Sequence, residues 1–447
     1  MLPSQTPVLI VGAGPTGLVL ALWLTKIGIK VRLIDKSSGP GLTSRAIVVH
    51  ARTLEFYRQL GIADEVIARG FEFPHLNLWV NHQRRAQVSL GQTGRRLSPY
   101  SFVLIFPQDE HEVFLIERLK NLGVEVERQT ELLSFQQEKD QVHFQLRLPS
   151  GETENGSALY LAGCDGAKSR VREVLNTGFE GSTYPDLFYV ADIRGQGPAL
   201  NGELHLSLDQ SDFLAIFPLK EKGHARLIGV IRENESGRSL RWEDVNPRIL
   251  REMDIQVDEV KWFSTYHVHH RVASHFQVGR AFLLGDAGHI HSPVGGQGMN
   301  TGIGDAVNLA WKLGEVLKGE SSEELLESYE ADRMPFAKLL VRTTDQAFKV
   351  VSSPGPWAQF VRTRVIPWLL PAAFQFEFLR YFLFRTVSQT GISYRHALAG
   401  LGQKLQPGDR LPWIESVDNF TPLKTLAWQV HVYGKKTVKK KKKNTPV

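Results

Sequence analysis

Two glycine-rich stretches and three aspartates are the residues of this sequence whose types and spacing fit cofactor chemistry. Gly12, Gly14 and Gly17 form the pattern G-x-G-x-x-G, and a second glycine cluster lies in "GDAGHIHSPVGGQGMNTG" at 285–302. Glycine lets a backbone approach a phosphate or a flat ring closely, and the start of a following helix offers unpaired N–H groups to negative charge. The first pattern predicts dinucleotide binding, but by itself it does not distinguish FAD from NAD.

The first 35 residues contain the elements that must position the first pattern. An apolar run at 8–11 is typical of a parallel strand buried on both faces, and apolar residues at helical spacing follow from residue 18. A second strand is predicted to end at Asp35, where a carboxylate can accept hydrogen bonds from a ribose. We therefore expect the cofactor to contact Asp35, Lys36 and the turn residues Gly12, Gly14, Pro15, Thr16 and Gly17.

Two later segments favour a flavin. The segment "LYLAGCDGAKSRVRE" (159–173) predicts a strand that ends at Asp165 and Gly166, and a third strand ends at Asp286, whose carboxylate suits ribityl hydroxyls. The long helix after the second glycine cluster begins where its amides can meet the pyrimidine edge of a reduced, anionic flavin. Those amides belong to Gly298, Met299 and Asn300.

These three segments together resemble the group A FAD-dependent aromatic hydroxylases, which share the p-hydroxybenzoate hydroxylase fold. The resemblance covers residues 6–413, is strongest over "GDAGHIHSPVGGQGMNTGIGDAVNLAWKL", and points to the branch of phenol and polyketide hydroxylases. Gly288 stands where alanine is commoner in that family. The resemblance implies an α/β fold: a Rossmann-like FAD-binding domain of the GR2 type, an inserted antiparallel-sheet substrate domain and a helical C-terminal extension.

The resemblance also implies roles for residues outside the first pattern. Arg45 and Gln108 would contact the cofactor, and Asp165 with Gly166 would serve both FAD and a passing nicotinamide cofactor. Pro293, with Gly295 nearby, would lie beside the flavin C4a atom. The catalytic candidates are Pro293, Arg45 and Tyr266, and the substrate candidates are Tyr184, Phe217, Pro218 and Phe263. For the aromatic residues among them, core packing is favoured over substrate contact.

The reaction that the resemblance implies is ring hydroxylation of a phenolic or polycyclic aromatic substrate. NAD(P)H would bind transiently and reduce FAD, O₂ would add at C4a to give a hydroperoxide, and its distal oxygen would pass to the ring. Two alternatives stay open at this point. One is an FAD-dependent oxidoreductase of the same fold without ring hydroxylation, and the other is an inactive relative that binds flavin or ligand.

Composition and charge exclude several other functions. Seven of the 53 basic residues are lysines at 435–443, and the remaining 46 nearly balance the 47 acidic residues, which argues against a nucleic-acid surface. The single cysteine, Cys164, excludes an internal disulfide and favours a reducing, cytoplasmic compartment. The histidine-rich stretches at 266–271 and 289–291 lack further ligands at metal-binding spacing, so no metal site is predicted. No apolar stretch is long enough to span a membrane, but 365–384 allows weak peripheral association with one.

The sequence also predicts how the chain is divided. The FAD-binding domain is expected to comprise 1–70, 105–178 and 275–345, and the substrate domain 71–104 and 179–274. A helical extension is expected at 346–410. Residues 411–447 are interpreted as a linker, a truncated remnant of a thioredoxin-like domain with one strand at 426–434, and a poly-lysine tail. The oligomeric state stays open, with a homodimer among the options.

Overall fold

The computed structural model describes residues 4–41, 46–80, 83–91, 94–208, 213–231, 240–245, 247–352, 355–394 and 406–432. The strands in these ranges are β1 (Ser4–Val11), β2 (Val31–Ile34), β3 (Val48–Val49), β4 (Phe71–Glu72), β5 (His75–Val80), β6 (Gln83–Ser89), β7 (Leu104–Ile105), β8 (Val126–Glu127), β9 (Glu131–Gln137), β10 (Val142–Arg147), β11 (Thr153–Gly163), β12 (Phe179–Gln196), β13 (Leu204–Leu208), β14 (Phe213–Pro218), β15 (His224–Ile231), β16 (Gln256–Ala273), β17 (Gln277–Val278), β18 (Ala281–Leu283) and β19 (His289–Ile290). The α-helices are α1 (Pro15–Lys26), α2 (Ala51–Leu60), α3 (Ala63–Arg69), α4 (Gln108–Asn121), α5 (Arg170–Leu175), α6 (Pro247–Glu252), α7 (Gln297–Leu317), α8 (Ser328–Ser352), α9 (Pro356–Phe360), α10 (Ile366–Gln375) and α11 (Glu377–Val387).

The first sheet brings together strands from three distant parts of the chain. Its order is β17-β18-β11-β1-β2-β8, with β10 and β9 continuing from β11. The strands β18, β11, β1 and β2 run parallel, and Val11 lies opposite both Ile34 and Gly163. Gly163 in turn lies opposite Leu283. Four strands therefore end at one edge of the sheet, which is where ligands bind in sheets of this kind.

Helix α1 packs against β1 and β2 of this sheet, and helix α7 packs against α1. Residues 18–24 of α1 are buried without a polar face. Strand β1 is likewise buried along 8–11. A parallel strand covered on both faces is expected to be apolar at every position.

The second sheet is larger, and one of its strand pairs differs from the prediction. Its order is β19-β16-β12-β15-β14-β13-β5-β6. All neighbours pair antiparallel except β13 and β5, which run parallel with Leu204 opposite Leu76. The predicted antiparallel sheet thus contains one parallel junction. The hairpin β5–β6 comes from a separate insertion, so no short turn between β5 and β13 imposes an antiparallel direction.

The two faces of the second sheet bury different clusters. One face carries Ala191, Leu214, Leu227 and Phe263 and is covered by the segment that contains α6. The opposite face carries Val190, Ala215, Ile228, Phe217 and Tyr266. Side chains alternate between the faces of a strand, so only the second set can face the parallel sheet. A small third sheet has the strand order β3-β7-β4.

The C-terminal part of the described chain is helical, as predicted. Helices α8 to α11 follow one another, with a π-helical turn at Val361–Val365 between α9 and α10. None of the helices in the described ranges is long and apolar enough to cross a membrane. The strand predicted at 426–434 is absent from 426–432, where Trp428 instead packs edge-on against Trp311 of α7. Residues 433–434 and the lysines at 435–443 lie outside the described ranges, and the predicted domain boundaries stay a prediction.

Candidate functional site

Two helices begin at the same cleft, and neither is capped by a side chain. Helix α1 begins after Gly14 at the end of β1, and α7 begins after Gly296. Both N-cap residues are glycines and make no side-chain hydrogen bond. The first N–H groups of a helix have no partner within the helix and carry partial positive charge. The cleft therefore presents two sets of backbone donors.

Steric contacts explain two of the three glycines in the first pattern. Gly12 has a φ of +105°, and a Cβ there would overlap the carbonyl oxygen of Cys164. A Cβ on Gly17 would overlap the carbonyl oxygen of Gly12. A Cβ on Gly14 would meet no atom within 4 Å, and the same holds for Gly166, which lies in the loop after β11 and has a φ of +76°. Gly12 and Gly17 thus allow the turn to form, whereas Gly14 and Gly166 leave space beside it for a ligand.

The three aspartates lie at the shared edge of the parallel strands, but they make different contacts. Asp35 accepts a hydrogen bond from the Ala13 N–H, with Oδ2 at 2.7 Å from the nitrogen. Asp165 accepts from the Ser169 hydroxyl and the Arg170 N–H, both at 2.6 Å, and burial raises the pKa of its carboxyl. Asp286 is exposed and lines the cleft. Two of these carboxylates therefore order the surrounding loops, while Asp286 faces the ligand space.

The cleft has a volume of about 480 Å³ and runs between the parallel-strand edge and the second sheet. Such a volume falls in the range of small-molecule sites, roughly 300–1,000 Å³. The predicted site residues that line it are Gly14, Pro15, Thr16, Gln108, Gly166, Phe217, Tyr266, Asp286, Pro293, Gly298 and Met299. Most of the predicted cofactor positions are thus brought to one space.

Other predicted cofactor residues lie beside the cleft without lining it. Lys36 is exposed, and Gly295, with a φ of +76°, is exposed beside the start of α7. Asn300 is buried, where its Oδ1 accepts from the His50 N–H at 2.9 Å and its Nδ2 donates to the Val48 carbonyl at 2.9 Å. The Asn300 side chain thus joins α7 to β3. Arg45 lies outside the described residues.

Gln108 is held in place by Glu112. Its Nε2 donates to Glu112 Oε1 at 2.7 Å, and Glu112 Oε2 accepts from the Gly41 N–H at 2.9 Å. Burial raises the pKa of the Glu112 carboxyl. Glu112 therefore links α4 to the chain after β2, and the Gln108 side chain is fixed at the mouth of the cleft.

The second sheet contributes a different wall from the one predicted. Phe217 and Tyr266 line the cleft together with Ile228, which the sequence analysis missed. Phe263 points to the opposite face, where it stacks on Tyr189 with ring centroids 6.0 Å apart. The prediction that Phe263 contacts substrate therefore disagrees with the structure, because residues 263 and 266 have opposite directions in β16.

Two further substrate candidates lie away from the cleft. The Tyr184 hydroxyl donates to Asp345 of α8, and its ring packs 4.4 Å from that of Phe348. Pro218 is buried at the end of β14, opposite Ala225. Both residues make packing contacts, so the structure does not bring them to the ligand space.

His291 lines the cleft, whereas its place in the histidine-rich stretch at 289–291 had raised only the question of a metal ligand. Its Nδ1 lies 2.8 Å from the Ser292 carbonyl oxygen, so Nδ1 carries the proton and Nε2 is left as an acceptor. Within the described part of the chain Nε2 has no hydrogen-bond partner. Burial lowers the pKa of His291 to about 4, which keeps the ring neutral near pH 7.

A buried ion pair fixes the turn that carries Asp286. Asp305 accepts from Arg333 Nε at 2.6 Å and from the Gly285 N–H at 3.0 Å. Its Oδ2 also lies 2.6 Å from His289 Nε2, and the side chains of Asp305, Arg333 and His289 are each about 1% exposed. Arg333 holds the pKa of Asp305 below its usual range despite burial. His289 thus makes a structural contact, and the sequence contained no signal for the role of Asp305.

The arrangement fits an elongated dinucleotide with a flat ring. Uncapped amides at α1 suit a pyrophosphate, Asp286 suits hydroxyls, and amides at α7 suit an anionic ring edge. The space beside Gly14 and Gly166, which a side chain would fill, supports the same fit. No group of three His, Cys, Asp or Glu residues that could hold a metal occurs in the described ranges.

Comparisons with known proteins agree with this geometry. Residues 5–344 match the family described as FAD binding domain. The 6-methylpretetramide 4-monooxygenase of Streptomyces rimosus is 36% identical over 377 residues, 83% of this chain and 65% of that protein. Pentachlorophenol 4-monooxygenase of Sphingobium chlorophenolicum is 32% identical over 79% of this chain and 66% of its own length. The chain thus spans about two thirds of the length of these relatives.

A solved structure extends the similarity to the fold. The anhydrotetracycline hydroxylase OxyS from Streptomyces rimosus superposes with a TM-score of 0.74 at 29% identity, covering 91% of this chain and 80% of the other. This chain belongs to the FAD binding domain family, and its cofactor is FAD. The family resemblance and the fold class inferred from the sequence are both confirmed.

Proposed function

We propose that this protein is an FAD-dependent monooxygenase that hydroxylates a phenolic or polycyclic aromatic compound with NAD(P)H and O₂. One observation carries the proposal. The apolar face of the second sheet, with Ile228, Phe217 and Tyr266, lies across the same cleft as the glycine-rich start of α7. An aromatic ring on that face would lie beside a flavin bound at the helix.

The relatives support the class of substrate. The two named above act on a polycyclic and a phenolic compound according to their names, 6-methylpretetramide and pentachlorophenol. The sheet face in this chain carries small side chains, Val190 and Ala215, beside Ile228. They are buried beneath the side chains that line the cleft, and Ile228, Phe217 and Tyr266 present an apolar and aromatic surface to it, which suits a flat ring system.

When bound, FAD would supply the electron transfer and oxygen activation that the reaction requires. The chain's own residues would bind, orient and exclude water. Pro293 would cover the reacting edge of the ring system, and the Tyr266 hydroxyl would orient the substrate. His291 Nε2 would accept a hydrogen bond from a phenolic hydroxyl, because its Nδ1 is already committed to the Ser292 carbonyl.

NAD(P)H would bind only transiently. The first-pattern turn at α1 belongs to FAD, so the hydride donor would approach along the open side of the cleft near Gly166. Arg45 would take part in contacts to either cofactor. The alternative function is an oxidoreductase with the same cofactor site that consumes NAD(P)H without hydroxylating a ring.

The test uses the full chain loaded with FAD and a panel of phenols and polycyclic phenols. NADPH and NADH oxidation, O₂ consumption and product mass are measured in parallel. We expect substrate-stimulated NAD(P)H oxidation and a product heavier by one oxygen atom, labelled when ¹⁸O₂ is used. Product without a new oxygen atom would favour the alternative, and a purified protein that cannot bind FAD would refute both.

A further inference from the structure

The outer surface of the C-terminal helices carries exposed aromatic side chains. Seven large apolar residues between 357 and 382 are at least half exposed: Trp357 (75%), Phe360 (50%), Trp368 (74%), Leu369 (52%), Phe376 (57%), Phe378 (68%) and Phe382 (64%). An aromatic side chain has on the order of 150–250 Å² of surface, and these six aromatic residues expose between half and three quarters of theirs. The set therefore exceeds the roughly 300–600 Å² patch that is typical of a monomer's surface. We name these seven residues the aromatic face.

The spacing of the aromatic face places it opposite the packed side of the helices. From α9 through α10, exposed positions 357, 360, 364 and 368 recur every three or four residues, so they share one side of the helix. On the other side, Ile366 and Leu370 pack on the cluster formed by Leu78, Val80 and Leu208. Along α11, Phe378 and Phe382 point outward while Phe384 is buried against Gly94.

Basic residues accompany the aromatic face, and acidic residues are scarce. Arg364, in the π-helical turn between α9 and α10, and Arg385, on α11, are both exposed. Arg96 lies beside α11, where its Nη1 is 3.4 Å from Glu377 Oε1. Glu377 is the one acidic residue between 355 and 387, and the Tyr381 hydroxyl also donates to it. Lysines at 435–443 add seven further positive charges to the same chain.

We propose that the aromatic face docks on an anionic lipid bilayer. Trp and Phe side chains enter the boundary between headgroups and acyl chains, and neighbouring arginines attract anionic headgroups. The combination of an apolar surface with basic charge supplies the two signals that stable peripheral binding needs. This inference is independent of the proposed reaction, because it rests on α9–α11 and not on the cleft.

The test is co-sedimentation of the FAD-loaded full chain with phosphatidylcholine vesicles and with vesicles containing 30% phosphatidylserine. We expect binding to the anionic vesicles, weaker by at least tenfold for W368Q/L369Q. The matched control is W428Q/L339Q, which removes the same residue types at 74% and 58% exposure away from the aromatic face. The control should bind as wild type does, and R364Q/R385Q should weaken binding only to anionic vesicles.

Three results would overturn the proposal. The first is no binding to either kind of vesicle. The second is unchanged binding by W368Q/L369Q when substitution of Lys439–Lys443 by glutamine abolishes it, because the tail alone would then act. The third is a dimer in sedimentation velocity that W368Q/L369Q dissociates, because a second copy of the chain would then cover the aromatic face.

Discussion

One wall of the cleft is formed mainly by backbone atoms, and the opposite wall is formed by side chains. The wall at the parallel-strand edge consists largely of backbone, with glycines at positions 12, 14 and 17 and two uncapped helix starts. The opposite wall consists of side chains from a sheet face, including Ile228 and Tyr266. A backbone wall constrains the residue type at each position, whereas a side-chain wall can change its residues without changing the fold. The first wall should therefore tolerate less substitution than the second.

The largest expected effect comes from Gly12→Ala. The new Cβ would overlap the Cys164 carbonyl, and the φ of +105° is unfavourable for alanine, so we expect a loss of about 5 kcal/mol in unfolding free energy and no FAD binding. Urea unfolding and the flavin absorbance of the purified protein measure both quantities.

Substitutions at two other glycines distinguish a loss of FAD binding from a loss of stability. Gly14→Ala meets no protein atom, so it should fold with near wild-type stability yet bind FAD more weakly. Gly39→Ala also meets no atom and lacks a positive φ, so it should change neither property. Equal FAD affinity in Gly14→Ala and wild type would contradict the close approach of a pyrophosphate.

The buried ion pair behind the backbone wall gives the next largest effect. Asp305→Asn leaves Arg333 buried without its counter-charge, which typically costs about 3–5 kcal/mol. Because Asp305 also accepts from the Gly285 N–H, FAD affinity should fall together with stability. Thermal unfolding and FAD titration check the two effects. The surface pair Arg69–Glu117 is the control, since Glu117→Gln should cost less than about 1 kcal/mol.

Leu227 and Ile228 are adjacent on β15 and point to opposite faces of the second sheet, so substitutions there test the two faces independently. Leu227→Ala removes packing from the covered face and should cost about 3 kcal/mol while leaving the substrate KM unchanged. Ile228→Trp fills the cleft face and should raise KM at least tenfold for polycyclic substrates with little change in FAD affinity. Steady-state kinetics measure KM for both variants, and urea unfolding measures their stability. A KM effect in Leu227→Ala would contradict the orientation of the sheet.

The sequence predicted the backbone wall of the cleft better than the side-chain wall. Gly12, Gly17 and Asp286 were predictable because strand ends and tight turns demand particular residue types. The opposite directions of Phe263 and Tyr266 follow from alternation along β16. Which of the two faces the cleft was not predictable, because the face with Phe263 is covered by the segment that contains α6, and no local pattern in β16 indicates that cover. The parallel pairing of β5 with β13 was missed because it joins segments that no local pattern connects.

The smallest expected effect is a pH dependence of stability. Burial lowers the pKa of His50 to about 4, whereas an unfolded histidine titrates near 6.5. The unfolded state therefore binds more protons between these values, and stability should fall by about 2 kcal/mol from pH 7 to pH 5 on this account. His50→Gln retains a donor for the Gly295 carbonyl and should flatten the slope by that amount in urea unfolding.

The parallel junction of the second sheet has a consequence for synthesis on the ribosome. Leu76 and its partner Leu204 are separated by 128 positions, which take roughly 6–26 s to translate. During that interval the hairpin β5–β6 has left the exit tunnel with one edge lacking its neighbour. Nascent chains of this protein should therefore depend on chaperones that shield open strands until β13 emerges.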